Sequence, residues 1–236
     1  MNLSRFLCFL PLICALSTHA AEVAVKDASA TNKTDSASAT DTNTAPTQLP
    51  ANFTNSVDMQ LVKISDSLWA GRFEVTQAQF QKITGGNPSA FVGDANPVDS
   101  VSYGDALDFC HRMTDADNLK KLIPEGAYYD LPTEDEWVTL AGDATLESAV
   151  TSLNGATKSS TSPVGSLAPN SLGLYDTRGN VLEFVKSGDE TTPFRILKGG
   201  CWKDMVEINL RPAFRNYCKP DERQNTFGFR CVLRTK

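Results

Sequence analysis

The stretch from residue 198 to 231 constrains the fold most. It reads Lys198-Gly199-Gly200-Cys201-Trp202-Lys203-Asp204, then Arg211-Pro212-Ala213-Phe214-Arg215-Asn216, then Asn225-Thr226-Phe227-Gly228-Phe229-Arg230-Cys231. A Gly-Gly pair lets the backbone take positive φ or approach another segment closely, which other residues do only at a cost. Arg211, Arg215 and Arg230 offer forked donors suited to carboxylates or backbone carbonyls. Ending on Gly-Phe-Arg-Cys points to a last strand locked into the body, with Cys231 at its end.

Earlier pieces belong with this block. They are Arg72-Phe73-Glu74-Val75-Thr76, Asn87-Pro88-Ser89, Leu131-Pro132-Thr133-Glu134-Asp135-Glu136-Trp137, Gly173-Leu174-Tyr175-Asp176 and Gly179-Asn180-Val181-Leu182-Glu183. In this order they resemble the signature of the formylglycine-generating enzyme (sulfatase-modifying factor) family. The resemblance covers residues 57–236. It implies an α+β fold of the C-type-lectin-like kind, with short helices, small antiparallel sheets and much irregular loop.

Residues 1–20 read as a signal peptide: Arg5, an apolar run from Phe6 to Leu16, and the small-x-small ending Thr18-His19-Ala20. The run is shorter than the roughly 20 apolar residues of a membrane span, so no transmembrane segment is expected once it is cleaved. Ile13 before Cys14 argues against lipoprotein cleavage there. Without the leader the chain keeps 21 basic and 28 acidic residues, a net of −7. Such a balance gives no electrostatic case for nucleic acid or an anionic membrane. Residues 21–56 are mostly Ala, Ser, Thr, Asp and Asn, too poor in large apolar side chains to offset ordering entropy, and read as a disordered tether. A periplasmic or secreted domain at 57–236 follows.

Local chemistry places three short helices in that domain. Thr76 with Gln79, and Thr133 with Glu136, form capping boxes, and Ser102 caps the helix between them. On that middle helix Ala106, Phe109, Cys110 and Met113 share one face at helical spacing. Glu134, Asp135 and Glu136 suit a helix N-terminus, which gives them a structural role before any catalytic one.

Four cysteines follow the leader: Cys110, Cys201, Cys218 and Cys231. Export permits disulfides. The resemblance implies a Cys110–Cys231 bond, from the middle helix to the C-terminal strand. That leaves Cys201 and Cys218 as a second disulfide, a redox-active pair or free thiols. The family's copper-binding cysteines fall three and eight residues beyond Cys201, where this chain has Asp204 and Asn209. Cu(I) calls for soft thiolates, which carboxylate and amide do not replace, so no copper is expected. After the leader only His111 remains, so the three-histidine iron site of another branch cannot form either.

Calcium is the expected ion. The turn Asp176–Glu183 sets two carboxylates among backbone carbonyls, and calcium takes six to eight oxygen ligands. The resemblance assigns the side chains of Asp176 and Glu183 and the carbonyls of Gly179 and Val181. A simple hairpin turn at Gly179-Asn180 is the plainer reading.

The functional expectation is an exported protein lacking the copper-binding cysteines. It would act as a protein-binding or regulatory module through a cleft of Trp202, Asp204 and Arg215 beside Cys201. Its partner would be an envelope or periplasmic protein, such as the periplasmic part of a membrane kinase in a type VI secretion pathway. The rival is an oxidoreductase or other envelope-modifying enzyme of the same family using Cys201 as its weak catalytic candidate.

Overall fold

The structure is a computed structural model that describes residues 44–153, 157–186 and 191–236. The signal-peptide reading and most of the tether reading lie outside the described residues. No helix among the described residues is long and apolar enough to cross a membrane.

The fold is α+β, as expected. One sheet holds β1 (Asn52–Thr54), β2 (Gln60–Ser65), β3 (Leu68–Gly71), β4 (Tyr128–Asp130) and β9 (Val232–Arg234) in the order β1-β2-β3-β9-β4. The other holds β5 (Leu182–Val185), β6 (Arg195–Lys198), β7 (Asn216–Cys218) and β8 (Phe227–Gly228) in the order β7-β6-β5-β8. The first is antiparallel throughout. The second is not, because β8 pairs parallel with β5, Leu182 facing Phe227. The second sheet is therefore mixed, within the expected α+β fold.

β1 also moves the start of the folded region forward from residue 57. Phe53 and Leu49 are buried in the main core, and Phe53 pairs with Leu61 of β2. Two apolar side chains in an otherwise polar stretch are enough to anchor it.

The three helices are α1 (Gln77–Thr84), α2 (Tyr103–Leu119) and α3 (Glu134–Ala141). Each opens on a complete capping box: Thr76 with Gln79, Ser102 with Asp105, Thr133 with Glu136. Such a cap contributes about 1 kcal/mol over alanine. On α2 the side chains of Ala106, Phe109, Cys110 and Met113 are fully buried. They meet Phe80 of α1 and Phe229, with Phe80 stacked on Phe109 at 5.6 Å and Phe109 edge-on to Phe229 at 5.4 Å.

Phe229 lies in a crossing, not a strand. Residues 229–231 carry the chain from the second sheet to the first, and their carbonyls accept from Val75 N (Phe229 O, 2.9 Å) and Gly71 N (Cys231 O, 2.8 Å). Cys231 thus precedes the last strand and does not end it. The crossing delivers Arg230 to the centre of the molecule.

Candidate functional site

After β6 the chain turns through Gly199 and Gly200 at φ 92° and 74°, a region that side-chain-bearing residues rarely adopt. It then runs beside residues 179–180. Gly179 N donates to Gly199 O at 2.9 Å and Trp202 N to Asn180 O at 2.9 Å. Gly179 is fixed by crowding as well as by φ, since a Cβ there would lie 2.3 Å from Val150 O.

This turn buries Cys201 against Asp204. The Asp204 carboxylate accepts from Cys201 N at 2.7 Å and from Cys201 Sγ at 3.3 Å, and its other oxygen accepts from Asn209 Nδ2 at 2.7 Å. Burial, and then the Asp204 charge, push the Cys201 thiol up to about 12. A protonated thiol is neither a nucleophile nor a metal ligand. The two positions expected to replace copper-binding cysteines do come together, but as a hydrogen-bonded carboxylate and amide that do not fit Cu(I). Trp202 is half-buried, edge-on to Phe91 at 5.4 Å, with its indole N–H donating to Asn225 O at 3.2 Å.

Arg215 is engaged by Glu134. It precedes β7, which pairs beside β6, and its Nε donates to Glu134 Oε1 at 2.6 Å. The same carboxylate oxygen holds Lys198 Nζ at 3.2 Å. Arg215, followed by Lys198, keeps the Glu134 carboxyl below the usual carboxylate range, against partial burial. Glu134 and Arg215 line an open cleft of about 970 Å³ between α3 and the β6–β7 pair, with Lys186, Phe194, Ile196 and Tyr217, while Lys198 is buried behind them. Sequence reading did not join Glu134 to Lys198 and Arg215, because those contacts span 64 and 81 residues.

The turn expected to hold calcium joins a buried ionic network. Glu183 accepts from Arg230 Nη2 at 2.7 Å, Arg230 Nε at 3.2 Å and Trp137 Nε1 at 2.8 Å. Arg230 also donates to Gly71 O and Tyr175 O. Glu74 accepts from Asn180 Nδ2 at 2.7 Å and Val181 N at 3.1 Å. Desolvation pushes the Glu74 carboxyl well up, with Asp176 and Glu183 adding to it. Burial likewise raises Asp176. Glu74 is the residue that sequence reading passed over, although its Arg72–Thr76 motif was in view.

Two observations fit a calcium ion at this turn. Asp176 Oδ1 is buried with no hydrogen-bond partner. Glu74, Asp176 and Glu183 also surround a single buried guanidinium, and a divalent cation would favour the ionised forms of Glu74 and Asp176 that burial disfavours. Among the described residues no three His, Cys, Asp or Glu side chains are grouped around a metal position. A calcium ion here would therefore depend on two carboxylates plus the Gly179 and Val181 carbonyls.

All four described cysteines are free thiols in this structure. Cys110 and Cys231 face each other in the core at 3.5 Å between sulfurs. Cys201 and Cys218 do not. Cys218 pairs with Arg195 at one end of β6, whereas Cys201 follows the other end and continues along residues 179–180. Disulfide geometry needs Cα atoms within about 7 Å, so the register separates this pair. His111 is exposed on α2.

Comparison with known proteins adds independent findings. Residues 36–235 match the family described as "Sulfatase-modifying factor enzyme 1-like domain". The chain is 30% identical over 223 residues to "Chaperone protein LppX" of Paenibacillus barcinonensis, covering 68% of this chain and 79% of that protein. It is 32% identical over 131 residues to "Serine/threonine-protein kinase Pkn1" of Chlamydia trachomatis, which is 45% of this chain and 21% of the kinase. "Treponema denticola variable protein 1" has the same fold, with TM-score 0.63 at 22% identity, over 81% of this chain and 93% of that one.

Proposed function

The chain belongs to the sulfatase-modifying factor family, and from that premise we propose that it is an exported, non-oxidising member that binds a protein partner and regulates a kinase-linked pathway, type VI secretion being the specific case. One observation carries the reading. At the two places where the family's enzymes are expected to grip copper, this chain has the Asp204–Asn209 hydrogen bond, and its nearest thiol is buried and protonated. A hard carboxylate and an amide do not supply the soft ligands of Cu(I). The chaperone and kinase names of two relatives support a role in acting on other proteins. The kinase match spans a fifth of that protein's length, so no kinase activity is assigned to this chain.

The test is oxygen uptake with a cysteine-containing peptide and Cu(I), comparing wild type with Cys201→Ser. Both should stay at the background rate. Sustained uptake by wild type that Cys201→Ser loses would establish the enzymatic rival.

We also propose that the Asp176 turn takes calcium through the Asp176 and Glu183 side chains and the Gly179 and Val181 carbonyls, and that Cys110 and Cys231 close as a disulfide on export. Calcium at a hundredfold excess over its Kd would stabilise by about 2.7 kcal/mol. For a domain of this size that is a Tm rise of about 5–10 °C, which EDTA should remove. A melting curve indifferent to EDTA and added calcium would rule the ion out. Unreduced protein recovered from an oxidising compartment should be two hydrogens lighter than the reduced form, with one peptide joining Cys110 to Cys231. Four free thiols in that material would exclude the bond.

A further inference from the structure

The loop after the Gly-Gly turn points its apolar side chains outward. Met205 is 73% exposed, Val206 56% and Ile208 48%, the first two just before and the third within a 3-10 turn at Glu207–Leu210. Most other apolar residues of this chain's second half are buried or half-buried. Exposed apolar groups clustered on one loop and rimmed by charge mark an interaction surface.

The rim is cationic on a chain whose net charge is −6. Lys203 adjoins the loop, and the Lys158 segment is tied to it through Ser152. Lys158 N donates to Ser152 Oγ, while Ser152 N and Oγ donate to the carbonyls of Asp204 and Trp202. Arg178, on the turn packed beneath, is near Glu207, whose charge partly offsets the burial that lowers its pKa. Among the described residues no carboxylate lies within ion-pair distance of Lys158, Arg178 or Lys203, and Arg178 Nε is buried without a hydrogen-bond partner. The loop's own acids are committed: Glu207 pairs with Arg211 and Asp204 with Cys201 and Asn209.

We propose that this loop is the docking surface for an acidic, apolar-bearing segment of a partner protein, its aliphatic side chains meeting Met205, Val206 and Ile208 and its carboxylates meeting Lys158, Arg178 and Lys203. The proposal rests on the reading of the chain as a protein-binding family member and names the chemistry of what it binds.

The test uses the full mature chain and a fluorescein-labelled peptide of alternating glutamate and leucine. Lysine-leucine and glutamate-serine peptides serve as comparisons, with vesicles of phosphatidylserine and phosphatidylcholine as a separate arm. The glutamate-leucine peptide should bind, weaken with added salt, and lose about tenfold in affinity, or 1.4 kcal/mol, in Lys203→Glu and in Ile208→Ser. Both substitutions are at the surface and should leave the urea midpoint unchanged. Equal binding of either comparison peptide, vesicle binding without peptide binding, self-association through the loop, or indifference to both substitutions would each overturn the proposal. None of these outcomes bears on oxygen uptake, so the non-oxidising reading is tested separately.

Discussion

Arg230→Met should destabilise the protein more than Glu183→Gln, although both remove one partner of the same buried pair. Both side chains are almost entirely hidden from solvent. Against the desolvation that would lower its pKa, Arg230 is held charged by Glu183 first and then by Glu74 and Asp176. Removing Glu183's charge leaves Arg230 two other carboxylates and its bonds to Gly71 O and Tyr175 O. Glutamine also keeps an acceptor for Trp137. That variant should cost about 1–3 kcal/mol, the range for a compromised buried hydrogen-bonding group. Removing the guanidinium instead leaves three buried carboxylates with no protein cation and two carbonyls without their donor. The loss should reach about 3–5 kcal/mol, a large share of the 5–15 kcal/mol of a typical domain. Urea unfolding in EDTA, so that only protein groups compete, gives the order. Equal losses, or the reverse order, would mean that Arg230 serves Glu183 alone and is not shared among the three acids.

That network shows what was legible in the sequence and what was not. Local chemistry could be read because it acts over three or four residues. Thr76 with Gln79 and Thr133 with Glu136 cap their helices as expected, and the Ala106–Met113 stripe of α2 is buried as its spacing requires. The Gly-Phe-Arg-Cys ending misled because period-2 patterning does not reveal where a chain leaves one sheet for another. Phe229 and Arg230 are buried for opposite reasons, one in the apolar core and one against carboxylates, and neither belongs to a strand. Glu74 was invisible for a similar reason. Its partners Asn180 and Val181 are 106 and 107 residues away, and nothing in Arg72–Thr76 distinguishes a buried acid from an exposed one. The Glu134 contact of Arg215 could not be read either, since it joins residues 81 apart.

Glu134→Ala should be the other severe substitution, and its size decides between two roles for the acidic run at the start of α3. If Glu134 only complements the helix N-terminus, as the sequence suggests, its loss costs about 0.3–1 kcal/mol. The structure gives it a heavier role. Lys198 is fully buried, its Nζ lies 5.9 Å from the centre of the Trp137 ring, and Glu134 is the only carboxylate within ion-pair distance of it among the described residues. Without Glu134 that ammonium is stranded, and the expected cost is about 3–5 kcal/mol. Asp135→Ala removes the neighbouring, exposed acid of the same helix turn and should stay within about 0.5 kcal/mol. A second substitution tests the cause. Lys198→Met in the Glu134→Ala background removes the stranded charge while its flexible thioether can pack on Trp137, so stability should return most of the way to wild type. Non-additivity of that size is expected only for groups in direct contact. If Glu134→Ala and Asp135→Ala lower the urea midpoint equally, or the double variant is no more stable than Glu134→Ala, then Glu134 is a helix-end charge like its neighbours and Lys198 is satisfied by something else.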